Sequence, residues 1–358
     1  MDSSSYTIAL GQGVTFTATV SGGSGAPTGS ITFRDNGVTI NGCSAVAVAS
    51  GAATCTTSAL AAGSHAISGQ YWGDSVYGTG IVGPITETVS AGAATADAAV
   101  NVQGLWWGAA DGSQSGWGLN LVQQGATVFA TWFTYDTDGT GMWLVMPNGA
   151  PAGGNTYTGA LYRTTGPSLT AASFDAAKVG TTAVGSATFS FSDASNGVFT
   201  AVVNGKTVAR PITREIFGSA APTCSEGGSA GATPNYQDLW WQASGAEPGW
   251  GLNVAHQGDI LFATWFTYDA NGNGLWLVAS NLAKTSSATY AGTLYRTTGP
   301  AFDSMAWDPS AVTATPVGSV TLTFADPSHG TLSASVEGAS ITKAIAREVY
   351  ATPTSVCR

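Results

Sequence analysis

Charge is scarce in this chain. Asp, Glu, Lys and Arg together make up 9% of its 358 residues, against about 25% in an average soluble domain. Only 11 residues are Lys or Arg, against 21 Asp or Glu, so the formal net charge is −10. So few cations cannot form the basic patch that displaces counterions from a phosphate backbone, which excludes nucleic acid as a partner. An anionic membrane surface is disfavoured for the same reason. Long apolar runs are missing as well: Gly, Ala, Ser and Thr interrupt every stretch before the roughly 18 residues that a spanning helix needs, and no membrane insertion is expected. Histidine occurs only at His65, His256 and His329, and no CxxC pair is present. What the chain does have is 48 Gly, 12 Trp and 44% hydrophobic residues. That is enough apolar content to bury a core, which argues against disorder. A Gly-, Thr- and aromatic-rich soluble chain of this kind is expected to be all-β.

The four cysteines are Cys43, Cys55, Cys224 and Cys357. A small even number without metal-type spacing points to disulfides in an oxidising compartment, hence a secreted, extracellular or cell-surface location. Cys43 and Cys55 flank Ser50-Gly51, where a hairpin would place them on adjacent strands. Cys224 and Cys357 are expected to bond within the chain, with an inter-chain link as the alternative. The opening MDSSSYTIALGQG has neither a basic n-region nor an apolar h-region, so any secretion signal is expected to lie outside these residues.

An internal duplication organises the rest. Residues 103–217 align on 237–350: LWW at 105–107 with 239–241, GWGLN at 116–120 with 249–253, ATWFTYD at 130–136 with 263–269, and LYRTTGP at 161–167 with 294–300. The offset is 134 at first and 133 from Gly116 onward, so one residue is gained or lost in the first loop. A repeat of this length is domain-sized and too long for a solenoid unit. Three domains are expected: an N-terminal sandwich over 1–90, a first Trp-rich copy over 102–218 and a second over 235–351. Small-residue linkers are expected at about 90–101 and 218–235.

Between Ser3 and Val89 short alternating segments recur with turn signals every 8–12 residues, the spacing of a two-sheet antiparallel sandwich. VTFTATV at 14–20, PTGSITFRD from Pro27 and LAAGSHAISGQYWGD from Leu60 resemble the bacterial Ig-like domains of secreted and surface proteins. The resemblance implies a spacer or stalk without an active site. Each later copy reads as about eight antiparallel strands, in the first copy near 104–107, 116–124, 127–136, 141–147, 156–163, 183–192, 197–203 and 207–217. Short turns and an even strand number favour closure into an up-and-down barrel, avidin- or lipocalin-like in layout, over another sandwich. The LWW…GWGLN…ATWFTYD…W pattern resembles Trp-rich repeats of uncharacterised secreted bacterial proteins, a resemblance that brings no assigned function.

The shared aromatics are Trp106, Trp107, Trp117, Trp132, Tyr135, Trp143, Tyr157 and Tyr162, repeated as Trp240, Trp241, Trp250, Trp265, Tyr268, Trp276, Tyr290 and Tyr295, and the tryptophans with Tyr135 and Tyr268 are the candidate ligand-binding set. Along 127–136, Phe129, Phe133 and Tyr135 share one face and Val128, Ala130 and Trp132 the other, so both faces carry aromatics. The indoles either fill the barrels or form a stacking platform or pocket wall. Asn120, Arg163, Asn253 and Arg296 would add directional hydrogen bonds at the barrel mouth. Alternatively, the shared arginines pair structurally with Asp175, Asp193 or Glu215. Asp136-Thr137-Asp138-Gly139 suits turn chemistry better than a Ca²⁺ loop, since no bidentate Glu follows.

Catalysis has little support, because neither copy shares a His with its sister, which removes a duplicated triad or His-ligated metal. A carboxylate pair such as Asp136 with Glu215 would be the only route to a hydrolase. No catalytic residue, metal or cofactor is expected. The expected function is non-catalytic recognition or adhesion, with glycan or another extracellular polymer as partner and two copies providing avidity. The alternatives are a structural subunit that self-associates into a surface fibre or matrix, and an extracellular hydrolase.

Overall fold

Alternating strands such as Val14–Thr19, and strands buried on both faces such as Gly118–Gln124, build this protein, and among the described residues strands are its only extended regular structure. The computed structural model describes the chain except residues 10–11, 23–24, 61–62, 91–99, 109–112, 172, 219, 228–233 and 305–306. Parts of both expected linkers, and the loop where the repeat offset changes, lie outside the described residues. Compactness divides the chain into Met1–Asp97 and Ala98–Arg358. No helix among the described residues is long and apolar enough to cross a membrane.

The first unit is a sandwich. Asp2–Ser3, Val14–Thr19 and Ala52–Thr57 form one sheet, and Thr7–Ala9, Gly80–Ser90, Gly63–Tyr71, Ser30–Asp35 and Val38–Thr39 form the main path of the other. Inward residues of both sheets, among them Val14, Phe16, Ile31, Phe33 and Ile67, make its core. Asn36 and Gly37 both have positive φ (46° and 86°), the two-residue turn that lets Asp35 pair with Val38. The Cys43–Cys55 bond is present, but it does not join adjacent strands of a hairpin. Cys55 pairs with Phe16 in the smaller sheet, while the Cys43 carbonyl accepts from Phe33 N–H of the larger. The disulfide therefore ties the two sheets together.

The second unit contains two closed barrels. The first runs through Gly104–Gly108, Gly118–Gln124, Thr127–Tyr135, Gly141–Pro151, Thr156–Thr165, Gly180–Phe191, Asn196–Val203 and Lys206–Arg214. Each strand pairs with the next, and the last returns to the first through Trp106 opposite Arg214. The second barrel repeats this order from Asp238–Gln242 to Ala339–Arg347. Closure leaves neither barrel with a free edge, so few guarding charges are needed.

The two faces of Thr127–Tyr135 have different destinations. Val128, Ala130 and Trp132 point into the first barrel, with Trp106, Trp117, Leu119 and Phe199. Phe133 and Tyr135 point outward, where they join Trp143, Phe266, Tyr268 and Trp276 in a cluster drawn from both barrels. The copies thus pack as a pseudo-twofold pair. Trp143 Nε1 donates to Thr267 O at 3.0 Å, and Trp276 Nε1 donates to Thr134 O at 2.9 Å. A Cβ at Gly274 would stand 3.1 Å from Trp143 Nε1, and one at Gly141 3.2 Å from Trp276 Nε1, so these glycines let each indole lie against the partner strand.

Each barrel also receives a loop from its sister. Phe302, from the second copy, is 5% exposed and belongs to the core of the first barrel. It packs at 5.8 Å from Trp132, and its N–H donates to Tyr135 O. Trp307 follows it and donates to Ser115 O at 2.9 Å. Reciprocally, Leu169 N–H donates to Tyr268 O, and Leu169 and Phe174 pack against the second barrel's core. The tail closes the arrangement: Cys224–Glu226 pairs with Ser355–Cys357, and Cys224 is bonded to Cys357 within the chain.

Phe302→Ala removes a core side chain from the barrel to which its own sequence repeat does not belong. We expect a loss of about 3–5 kcal/mol, typical of truncating a buried Phe, read by urea unfolding followed through tryptophan fluorescence. Leu169→Ala should cost less, because Leu169 is only half-buried.

Candidate functional site

Most of the shared aromatics are committed to packing. Trp106, Trp117 and Trp132, with their sisters Trp240, Trp250 and Trp265, are each at most 5% exposed and belong to the two barrel cores. Trp106 and Trp240 donate through Nε1 to Val102 O and Tyr236 O, at 2.9 and 3.0 Å. Tyr135 and Tyr268 are fully buried at the junction and donate to Gly116 O and Gly249 O. Asn120 and Asn253 are buried there too and donate to Thr264 and Thr131 Oγ1 of the sister barrel. Expected at a barrel mouth, these asparagines instead cross-link the copies. The mouth near Trp117 and Trp132 is occupied by Phe302 and Trp307. Of the shared tryptophans, Trp107 and Trp241 are the partly exposed ones.

Shared ionic residues find partners other than those the sequence suggested. Arg163 pairs with Asp136 at 2.7 Å, and Arg296 with Glu337 at 2.9 Å. Asp175 and Asp308 instead cap short 3₁₀ turns, accepting from Ala177 and Ser310 N–H. Asp193 and Asp326 accept from turn amides. Arg214 lies over Trp106, 4.8 Å from the ring centre. It donates to three carbonyls, of Gln103 (2.6 Å), Ala194 (2.8 Å) and Asn101 (3.2 Å). Its burial pushes the guanidinium down to about 10. The sister Arg347 has a carboxylate, Asp238, at 2.8 Å. Asp238 has no equivalent in the first copy, where Gly104 occupies that place and a Cβ would stand 2.5 Å from Arg214 Nη1. Burial pushes the Asp238 carboxyl up to about 6, with Arg347 opposing.

Several concavities lie at the junction, and two of them gather shared tryptophans or arginines. One is an apolar groove with a cavity volume of about 430 Å³, within the range of ligand pockets, about 300–1,000 Å³. Its first-barrel wall is Phe129, Trp143, Val145, Pro147, Tyr162 and Val179, and its second-barrel wall is Leu239, Trp241, Pro248, Trp250 and Phe266. Thr164, Thr181 and Glu348 are its polar side chains. Three candidate tryptophans therefore meet in one site, drawn from different copies. The second pocket, about 410 Å³, is polar and brings Arg163 together with Arg296, beside Asp136, Asp138, Asp269 and Asn271. Its turn carboxylates are already engaged: Asp138 accepts from Thr140 and is held below its ordinary range by that hydroxyl and amide. No group of three His, Cys, Asp or Glu placed to hold a metal occurs among the described residues.

Sequence reading left Phe129, Pro147, Pro248 and Glu348 out of the candidate site, and named Tyr162 only among the shared aromatics. Glu215, the sister of Glu348, stood out only as a possible partner of the shared arginines or of Asp136. Neither carboxylate forms an ion pair or side-chain hydrogen bond among the described residues, and Oε2 of each is sealed from water without a partner. Burial raises both carboxyls.

His256 does the work of Gln123 in the sister barrel. Gln123 Oε1 accepts from Val102 N–H at 2.9 Å and its Nε2 donates to Gly125 O. His256 Nδ1 accepts from Tyr236 N–H at 3.0 Å, so the ring proton sits on Nε2 and is donated to Gly258 O. Burial lowers the His256 pKa from 6.5. A depressed folded-state value means that its contribution is complete above about 6.5 and is lost as pH falls through the folded value. Thermal melts against pH should show this acid-side loss, and His256→Gln should keep neutral-pH stability while flattening it. An unchanged pH profile in the variant would assign the loss elsewhere.

The comparisons with known proteins bear on the first unit. The model of the bacterial Ig-like domain (group 3) matches residues 1–101. No curated protein and no solved structure matches the chain. Together with the two disulfides and the two closed barrels, this match fits an extracellular, surface or adhesion-type protein, and the N-terminal part is a bacterial Ig-like domain.

Proposed function

We propose that the paired barrels form a non-catalytic recognition module of a secreted or surface protein, and that its ligand is a glycan or a comparable extracellular polymer. The observation that carries this reading is the groove at the barrel junction, where Trp143, Trp241 and Trp250 meet. Flat indole faces bind the C–H faces of sugar rings through apolar contact, and polar wall groups select among them. Trp241 is partly exposed and is the natural stacking surface. A bacterial Ig-like domain beside such a module suits a spacer.

The fibre-subunit reading draws support from the deep burial of the other indoles, which explains them without any ligand. The hydrolase reading draws none, because Asp136 is held by Arg163.

Titration of intrinsic tryptophan fluorescence with soluble oligosaccharides should shift the emission. Trp241→Ala should weaken that binding at least tenfold, about 1.4 kcal/mol, with an unchanged far-UV spectrum. A flat response across a broad panel, together with concentration-dependent filaments, would favour the fibre.

A further inference from the structure

The groove contains one feature that packing does not explain. Glu348 is the one charged residue of a groove whose other side chains are aromatic, aliphatic, proline and two threonines. Among the described residues its carboxylate pairs with no cation, and Oε2 has neither water access nor a hydrogen-bond partner. A carboxylate held this way costs stability, because desolvation of the charge is not offset by pairing. Both sister copies carry it: Glu215 has the same unpartnered Oε2. Other buried ions of the unit do have partners, as at Asp238 with Arg347 and at Arg214 with three carbonyls.

We infer that the groove takes a cationic glycan, a polymer of amino sugars with free ammonium groups, whose ring stacks on Trp241 while an ammonium pairs with Glu348. This rests on the recognition reading above and narrows its ligand class. Three observations converge on it. The aromatic wall provides a stacking surface. The unpartnered acid provides the selective contact, since an entering cation supplies the counter-charge that the protein withholds. The chain's net charge of −10 attracts a polycation over a longer range. A neutral glycan would leave Glu348 uncompensated on closing the groove, and an anionic one would add repulsion.

The test uses three β-1,4-linked hexasaccharides that differ chiefly at C2: the glucosamine hexamer, its N-acetylated form and cellohexaose. Titrations of the full chain are made by calorimetry at a mildly acidic pH where the amines are protonated. We expect the glucosamine hexamer to bind about tenfold or more tighter than cellohexaose at low salt, with the advantage shrinking as salt screens the pair. Glu348→Gln should bring that ratio close to one, without loss of folded structure in thermal melts, since it removes an unpaired charge. Equal affinity for the three hexamers in the unaltered protein would overturn the cationic specificity and leave the glycan-binding reading in place. Binding of none of them would overturn both. Hexalysine binding as tightly as the glucosamine hexamer would show that charge alone is read, and would overturn the stacking component.

Discussion

Mutual burial of the two copies is the constraint on which this unit depends. Each barrel turns an aromatic face outward, Phe133, Tyr135 and Trp143 on one and Phe266, Tyr268 and Trp276 on the other. Those faces are satisfied only by each other. Reciprocal indole-to-carbonyl and asparagine-to-threonine hydrogen bonds fix the register of the pair. The exchanged loops add a second layer, since Phe302 completes a core that its own repeat does not build. A barrel excised from this arrangement would expose a large apolar face and lose part of its filling. The repeats are distinct as closed sheets yet form one compact unit.

Low charge follows from the same architecture. Closed barrels have no edges for Lys and Glu to guard, and the paired faces remove further surface from water. The ions that remain are used sparingly. Arg214 is held by carbonyls and an indole face, and the shared aspartates cap turns rather than form a charge network. Against this background the bare carboxylates of Glu215 and Glu348 stand apart. The groove beside Glu348 is itself a product of pairing, because its walls come from different copies.

Much of the fold was legible because strand periodicity is a local property. The eight strands read from the first copy fall within a few residues of the observed ones, and the asparagine-glycine turn at Asn36-Gly37 takes the left-handed conformations its residues favour. The disulfide partners were legible too, since the cysteines are few and the compartment is oxidising. The site was less legible. Trp106, Trp117, Trp132, Trp240 and Trp265, grouped with the ligand-binding candidates, are core residues, and Trp250 is a core residue that also lines the groove. Their alternation with Ala130 and Val128 shows a buried face but not whether that face lines a lumen or a ligand.

The sequence by itself determined an all-β chain, its duplication, its sandwich and barrel strands, and the presence of aromatics on both faces of Thr127–Tyr135, while the Cys224–Cys357 bond stayed open there between one chain and two. These follow from residue type and spacing along the chain, which act within a strand or between consecutive strands. Only the tertiary structure decided that Phe133 faces Trp276, that Phe302 enters the other repeat's barrel, and that Trp143 and Trp241 share one groove with Glu348. Those neighbours lie roughly a hundred or more residues apart. Their meeting depends on how two finished surfaces fit, which no local periodicity encodes.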